Sequence, residues 1–210
     1  MQFGIFSVSD ITTDPTTDKT PTEHERIKAA VAIAKHAEDV GLDFYAIGEH
    51  HNPPFFSSSP TTLLGYIGAA TKKIILTTST TLITTNDLVK IAEDYAMLQH
   101  LTDGRMDLML GRGNTGPVYP WFGKDIRQGI PLAIENYALL RQLWEEENVD
   151  WEGKFRTPLR GFTSTPRPLD GVPPFVWHGS IRWKTSPGRP RSPWVPRKKS
   201  LTARSASAST

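Results

Sequence analysis

Strand-length apolar runs alternate with helix-length amphipathic stretches from the first residues to about residue 178, and no other feature narrows the fold as far. Gln2 to Val8 puts Phe3, Ile5, Phe6 and Val8 in one short run, the mark of a strand. After a Thr/Asp-rich loop to Thr20, Thr22-Glu23-His24-Glu25 has the form of a capping box. There a hydroxyl and a carboxylate satisfy the free N–H groups of a helix start. Ile27, Ala30, Val31, Ala34 and Ala37 follow at helical spacing, and Gly41 ends that helix. Asp43 to Gly48 is a second strand. Pro60 to Thr71 predicts a helix with Leu63, Leu64, Ile67 and Ala70 on one face, and the β-branched stretch Lys73 to Thr81 predicts a third strand.

The rhythm continues. Asp87 caps a third helix whose apolar face is Leu88, Ile91, Ala92, Tyr95 and Leu98, and Thr102-Asp103-Gly104 ends it. Met106 to Leu110 is a fourth strand. A long loop then carries Gly111-Arg112-Gly113-Asn114 and the aromatic residues Tyr119, Trp121 and Phe122. Pro131 starts a helix to about Glu147, residues 150–168 read as a hairpin, and Pro174 to His178 is a fifth strand. Alternation of this kind builds a parallel sheet through right-handed crossovers. On pattern alone a βα barrel and an open doubly wound sheet both fit. The first strand–helix turn lacks a GxGxxG phosphate fingerprint, which weighs against a dinucleotide-binding sheet.

Composition excludes several classes. With no cysteine there is neither a disulfide framework nor a thiolate zinc site. No apolar run approaches the ~20 residues of a membrane span. The N-terminus has no basic region ahead of its apolar residues, unlike a signal peptide. The expectation is a soluble cytoplasmic protein. The net charge of +2 conceals two parts: residues 183–210 carry seven Lys/Arg and no acid, leaving 17 Lys/Arg against 22 Asp/Glu in the body. The Pro, Ser, Arg and Lys of that tail predict disorder. A nucleic-acid-binding arm has a similar composition but is the weaker reading.

Glu49-His50-His51 stands where the second strand stops, and Pro53-Pro54 forbids an immediate helix. A carboxylate and two imidazoles therefore lie on a loop at the C-terminal end of a strand, where parallel α/β folds bind ligands. The bland alternative is a polar loop capping the strand. A metal site is disfavoured, because adjacent residues rarely face one ion and HxH spacing is missing.

These residues resemble the bacterial luciferase-like monooxygenases, a family of flavin-dependent oxidoreductases. The resemblance rests on Phe3-Gly4-Ile5-Phe6, on Gly41-Leu42-Asp43 running into Glu49-His50-His51, on Ala92-Glu93-Asp94 with Leu101-Thr102-Asp103-Gly104-Arg105, and on Leu110-Gly111-Arg112-Gly113. It implies a TIM-type (β/α) barrel, reduced flavin (FMN) as cofactor, and O2 with a small organic substrate. A flavin reductase as partner and a homo-oligomeric full-length form go with it. Some members use a deazaflavin, and some are reductases. The resemblance puts His50 at the family's catalytic histidine, with Glu49 orienting a neighbouring imidazole. An imidazole exchanges protons near neutrality. Arg112 falls where the family meets the FMN phosphate, flanked by Gly113 and Asn114. Gly179 and Ser180 would add phosphate donors, and Ser79 and Thr80 would lie beneath the flavin ring. Tyr119, Trp121 and Phe122 either wall the substrate pocket or pack in the core.

The resemblance ends after Ser180-Ile181-Arg182, where the family would continue with a helix and further strand–helix units. The expectation is an incomplete barrel over residues 1–182, with about five of the eight strands, followed by a disordered or frame-shifted basic tail over 183–210. Such a sheet leaves an open edge. The rival to an enzyme is thus a non-catalytic fragment that self-associates.

Overall fold

The computed structural model describes residues 1–176. Gly179, Ser180 and the tail over 183–210 lie outside the described residues. The chain begins with β1 (Gly4–Ser7) and α1 (Glu23–Asp39). The capping box forms: Thr22 Oγ1 accepts the Glu25 N–H at 3.2 Å, and Glu25 Oε2 accepts the Thr22 N–H at 2.8 Å. Ala30, Ala34 and Ala37 are the buried side of this helix, small enough to let it lie close to the strands. Gly41, with φ of +81°, turns the chain into β2 (Phe44–Ile47).

Helix α2 (Pro60–Ala70) starts on a proline whose missing N–H would be unsatisfied there anyway. The third predicted strand is present but divided into β3 (Ile75–Thr78) and β4 (Thr81–Leu82) by a cis peptide between Ser79 and Thr80. The fourth is also divided. After α3 (Leu88–Leu101), capped by Asp87, come β5 (Asp107–Leu108) and β6 (Leu110–Gly111). The long loop contains α4 (Val118–Trp121). Helix α5 (Gly129–Glu145) begins two residues before Pro131, which falls in the first turn. The hairpin pairs β7 (Val149–Trp151) with β8 (Leu159–Phe162), and β9 (Phe175–Val176) is the fifth predicted strand.

β1, β2 and β3 are parallel neighbours, with Gly4 opposite Phe44 and Phe44 opposite Ile75. Leu76 bridges to Met106, β4 pairs with β6, and β5 pairs with β9, all parallel. The described sheet therefore runs β1, β2, β3/β4, β5/β6, β9. Tyr45, Ile47 and Leu76 point from it into one core with Leu64, Ile67, Ile91, Tyr95 and Leu139 of the helices. Among the described residues β1 pairs only with β2, so the sheet is not closed. Phe3 and Phe6 on that edge are 61% and 50% exposed. No helix among the described residues is long and apolar enough to cross a membrane.

Two charged side chains tie the strand entrances. Glu38 accepts the N–H groups of Lys72, Lys73 and Ile74, just ahead of β3. Arg105 donates to the carbonyls of Gly68, Thr71 and Ile74. The Asp103-Gly104-Arg105 stretch thus serves the fold, at the end of the sheet opposite the site.

Candidate functional site

Three loops leave the C-terminal ends of consecutive strands and meet. Glu49-His50-His51 follows β2, residues 83–87 follow β4, and Arg112 to Pro117 follow β6. They bound a shallow concavity, open to solvent, whose lining includes Glu49, His50, His51, Thr85, Arg112 and Asn114.

Glu49 is 5% exposed, and its carboxylate is nonetheless fully engaged. Oε2 accepts the Leu82 N–H at 2.9 Å. Oε1 accepts from Asn86 Nδ2 at 2.8 Å and from His51 Nε2 at 2.9 Å. Buried charge is tolerable only with donors of this kind. Glu49 therefore orients His51, which also meets the edge of Phe122 at 4.7 Å between ring centroids. His50 stacks on Phe55 at 4.1 Å, and its main-chain N–H donates to Ser57. Burial holds the His50 imidazole below the usual 6.5, against the pull of the Glu49 charge and with a smaller push from His51.

Arg112 is exposed, and its guanidinium donates only within its own loop, to Gly113 O at 3.1 Å. The main chain beneath it is anchored. Arg112 O accepts from Thr84 Oγ1 at 2.6 Å and from the Tyr119 hydroxyl, which also reaches Gly113 O at 3.2 Å. Gly113, at φ +69°, has a conformation that side chains disfavour. The aromatic trio divides: Tyr119 is buried and braces the loop, Phe122 packs on His51, and Trp121 is 60% exposed.

The fold thus brings together Glu49, His50, Arg112, Gly113 and Asn114. Ser79 and Thr80 stand beside this group: Thr80 O accepts the Glu49 N–H at 3.3 Å, and Ser79 Oγ contacts Met109 Sδ at 3.5 Å. Neither lines the concavity. Thr84, Thr85 and Asn86 belong to the site and were not singled out from sequence. Their signal was position alone, immediately after the third strand.

The donors fit a polar, phosphate-bearing cofactor. Thr85 lines the concavity, and its buried Oγ1 has no hydrogen-bond partner among the described residues. The Arg112 guanidinium has most of its donors unused within the loop, and a guanidinium grips phosphate well. Among the described residues, no three His, Asp or Glu side chains converge as a metal site requires.

A comparison with solved structures returns matching folds. The monooxygenase RslO1 from Streptomyces bottropensis superposes with a TM-score of 0.75 at 25% identity, over 84% of this chain and 52% of its own. The oxygenating constituent of 3,6-diketocamphane monooxygenase from the CAM plasmid of Pseudomonas putida, solved with FMN, gives 0.74 at 18% identity, over 84% and 50%. An F420-dependent secondary alcohol dehydrogenase gives 0.63 at 22% identity, over 84% and 52%. The chain spans about half the length of these structures. A comparison with curated protein sequences finds no match. The family described as luciferase-like monooxygenase matches residues 1–186. The loops that follow three successive strands, the Glu49-His50-His51 cluster and that match agree: the chain belongs to the luciferase-like monooxygenase family.

Proposed function

We propose that this chain binds a flavin, FMN in the first instance, and serves an oxidation of a small organic substrate by O2. One observation carries the reading. A Glu–His pair and an exposed arginine with unused donors face one concavity at the C-terminal ends of the strands. The bound flavin supplies the electron pair and the oxygen chemistry. The chain's residues do the rest: Arg112 and the Gly113 backbone hold the phosphate, and the His50–His51 pair moves a proton. Ser79 and Thr80 beside Glu49, with Gly179 and Ser180, complete the cofactor contacts in this reading. A cytoplasmic location, a flavin reductase as electron source and a homo-oligomeric state belong to the same proposal.

Titration of the chain with FMN, followed by flavin fluorescence, is the direct test. Saturable binding that Arg112→Ala weakens supports the reading. Binding of a deazaflavin in preference to FMN would move the chain to the deazaflavin-using members. A second reading follows from the exposed Phe3 and Phe6 on the free edge of β1. In it the chain is a non-catalytic fragment that self-associates along that edge. Self-association in sedimentation without flavin binding would favour it.

A further inference from the structure

Packing, and not a hydrogen bond, holds the imidazole of His50. Along β2, Tyr45 and Ile47 point into the core shared with the helices. Successive residues of a strand face opposite ways, so position 48 faces the other side of the sheet. Gly48 is buried, and its N–H donates to Ser7 O at 2.9 Å. Its φ lies outside the left-handed region, so the backbone there does not call for glycine. Space does. A Cβ at position 48 would lie 3.1 Å from His50 Nε2 and 3.3 Å from His50 Cδ2, closer than the ~3.5–4.0 Å at which such atoms pack. The His50 ring thus folds back over the strand end, into the room left by the missing side chain.

Phe55 closes this slot. Its ring stacks on His50 at 4.1 Å between centroids, with the planes 21° apart. Main-chain bonds on both sides of Phe55 hold it there. The His50 N–H donates to Ser57 O at 2.9 Å, the Phe56 N–H to Ser9 O at 2.9 Å, and the Ile11 N–H to Pro54 O at 2.8 Å. Among the described residues neither ring nitrogen of His50 is hydrogen-bonded, whereas His51 Nε2 is committed to Glu49. A group that takes and gives a proton is best held without spending its nitrogens, and packing does that.

We infer that Gly48 and Phe55 are the positioning residues of His50: the glycine opens a slot at the end of β2, Phe55 closes it, and the imidazole is oriented by packing alone. That the proton serves a flavin reaction rests on the reading above; the seat does not.

The test is proton–carbon NMR of the histidine rings in the full chain, without flavin, followed through pH. In the wild type the Phe55 ring current displaces the His50 signals, and burial holds the His50 pKa below 6.5. Phe55→Ala is expected to abolish the displacement and raise that pKa, because water reaches the ring while the Glu49 charge still favours the imidazolium. Phe55→Tyr is expected to restore both. Gly48→Ala is expected to move the His50 signals and leave those of the exposed His24 and His36 in place. Glu49 and His51 on the same loop, Asp10 bridged to Phe55, and Arg112 on the same concavity are unchanged in every variant. His50 signals indifferent to Phe55→Ala overturn the inference, as does a Phe55→Tyr chain that titrates like Phe55→Ala. Phe55 is only half-buried, so its substitutions decide the matter where Gly48→Ala fails to fold. Saturating FMN is then expected to move the wild-type His50 signals. Bound FMN that leaves them unmoved overturns the positioning role. A wild-type chain that binds no FMN sinks the proposed function instead, and the seat is decided by the flavin-free signals.

Discussion

Thr80 occupies the space that a side chain at Gly111 would need: a Cβ there would lie 2.2 Å from Thr80 Oγ1 and 2.8 Å from Thr80 Cβ. The two residues let β4 and β6 pair at the point where both strands break, next to the backbone of Glu49. Gly111→Ala is therefore expected to cost about 1–3 kcal/mol, the usual range for overpacking. Urea unfolding measures it. Thr80→Gly in the same chain should recover part of the loss, since the two sites share one space. Equal stability of wild type and Gly111→Ala would mean that the contact is absent.

Arg112→Ala should weaken FMN binding at least ~10-fold, because a charge-assisted phosphate contact is worth about 1.5–3 kcal/mol. The exposed guanidinium has little structural duty, so the unfolding midpoint should hold. An unchanged dissociation constant would remove Arg112 from the phosphate site.

Tyr119→Phe probes the anchor beneath that loop. The hydroxyl donates to Arg112 O, and Thr84 Oγ1 remains as a second donor after its loss. A stability loss of about 1 kcal/mol is expected. Flavin affinity should fall with it, because Gly113 O also loses one of its two donors and keeps only the Arg112 guanidinium. A variant that loses stability while binding flavin as the wild type does would uncouple the anchor from the site.

Glu38 gives a stability signature in acid. Burial raises its pKa, but the N–H groups of Ile74, Lys73 and Lys72, with the Arg105 charge, outweigh that and hold it below 4.5. A carboxyl whose pKa is lower folded than unfolded contributes stability that is present above about 4.5 and is lost as pH falls through the lower, folded value. Glu38→Gln should therefore be less stable than wild type by about 1–2 kcal/mol at neutral pH, after allowance for solvent screening. The gap should narrow below pH ~4, where the wild-type carboxyl is itself protonated. Unfolding midpoints at the two pH values check it, and a constant gap would contradict the charge as its source.

Strand and helix periodicity carried the architecture well. The capping box at Thr22-Glu25, the Asp87 cap and all five strands appear at the predicted places, because these depend on local chemistry and on which residues face the core. The breaks at Ser79-Thr80 and Met109 were not legible. Lys73 to Thr81 is rich in β-branched residues, with a lone Ser79 at its break, and Met106 to Leu110 is mostly apolar, so neither run carries a Gly, Pro, Asn or Asp where it divides. Glu49 and the two histidines were found because three ionisable groups in a row at a strand end stand out. Which histidine Glu49 holds was not, since adjacent residues are equivalent until the backbone aims them. Asn86 escaped for a related reason: a single amide in a polar loop has no pattern of its own, and its meaning comes from a carboxylate 37 positions earlier.

The ties at the strand entrances have a further consequence for mutational tolerance. Glu38 grips Lys72, Lys73 and Ile74 through their N–H groups, and Arg105 grips Gly68, Thr71 and Ile74 through their carbonyls. Main-chain groups of that kind come with nearly every residue type, proline being the exception for an N–H. The clamp therefore writes its sequence requirement into two side chains and leaves the exposed Lys72 and Lys73 free to vary. A saturation library would find positions 72 and 73 permissive toward everything except proline, and positions 38 and 105 the least tolerant of change in the clamp.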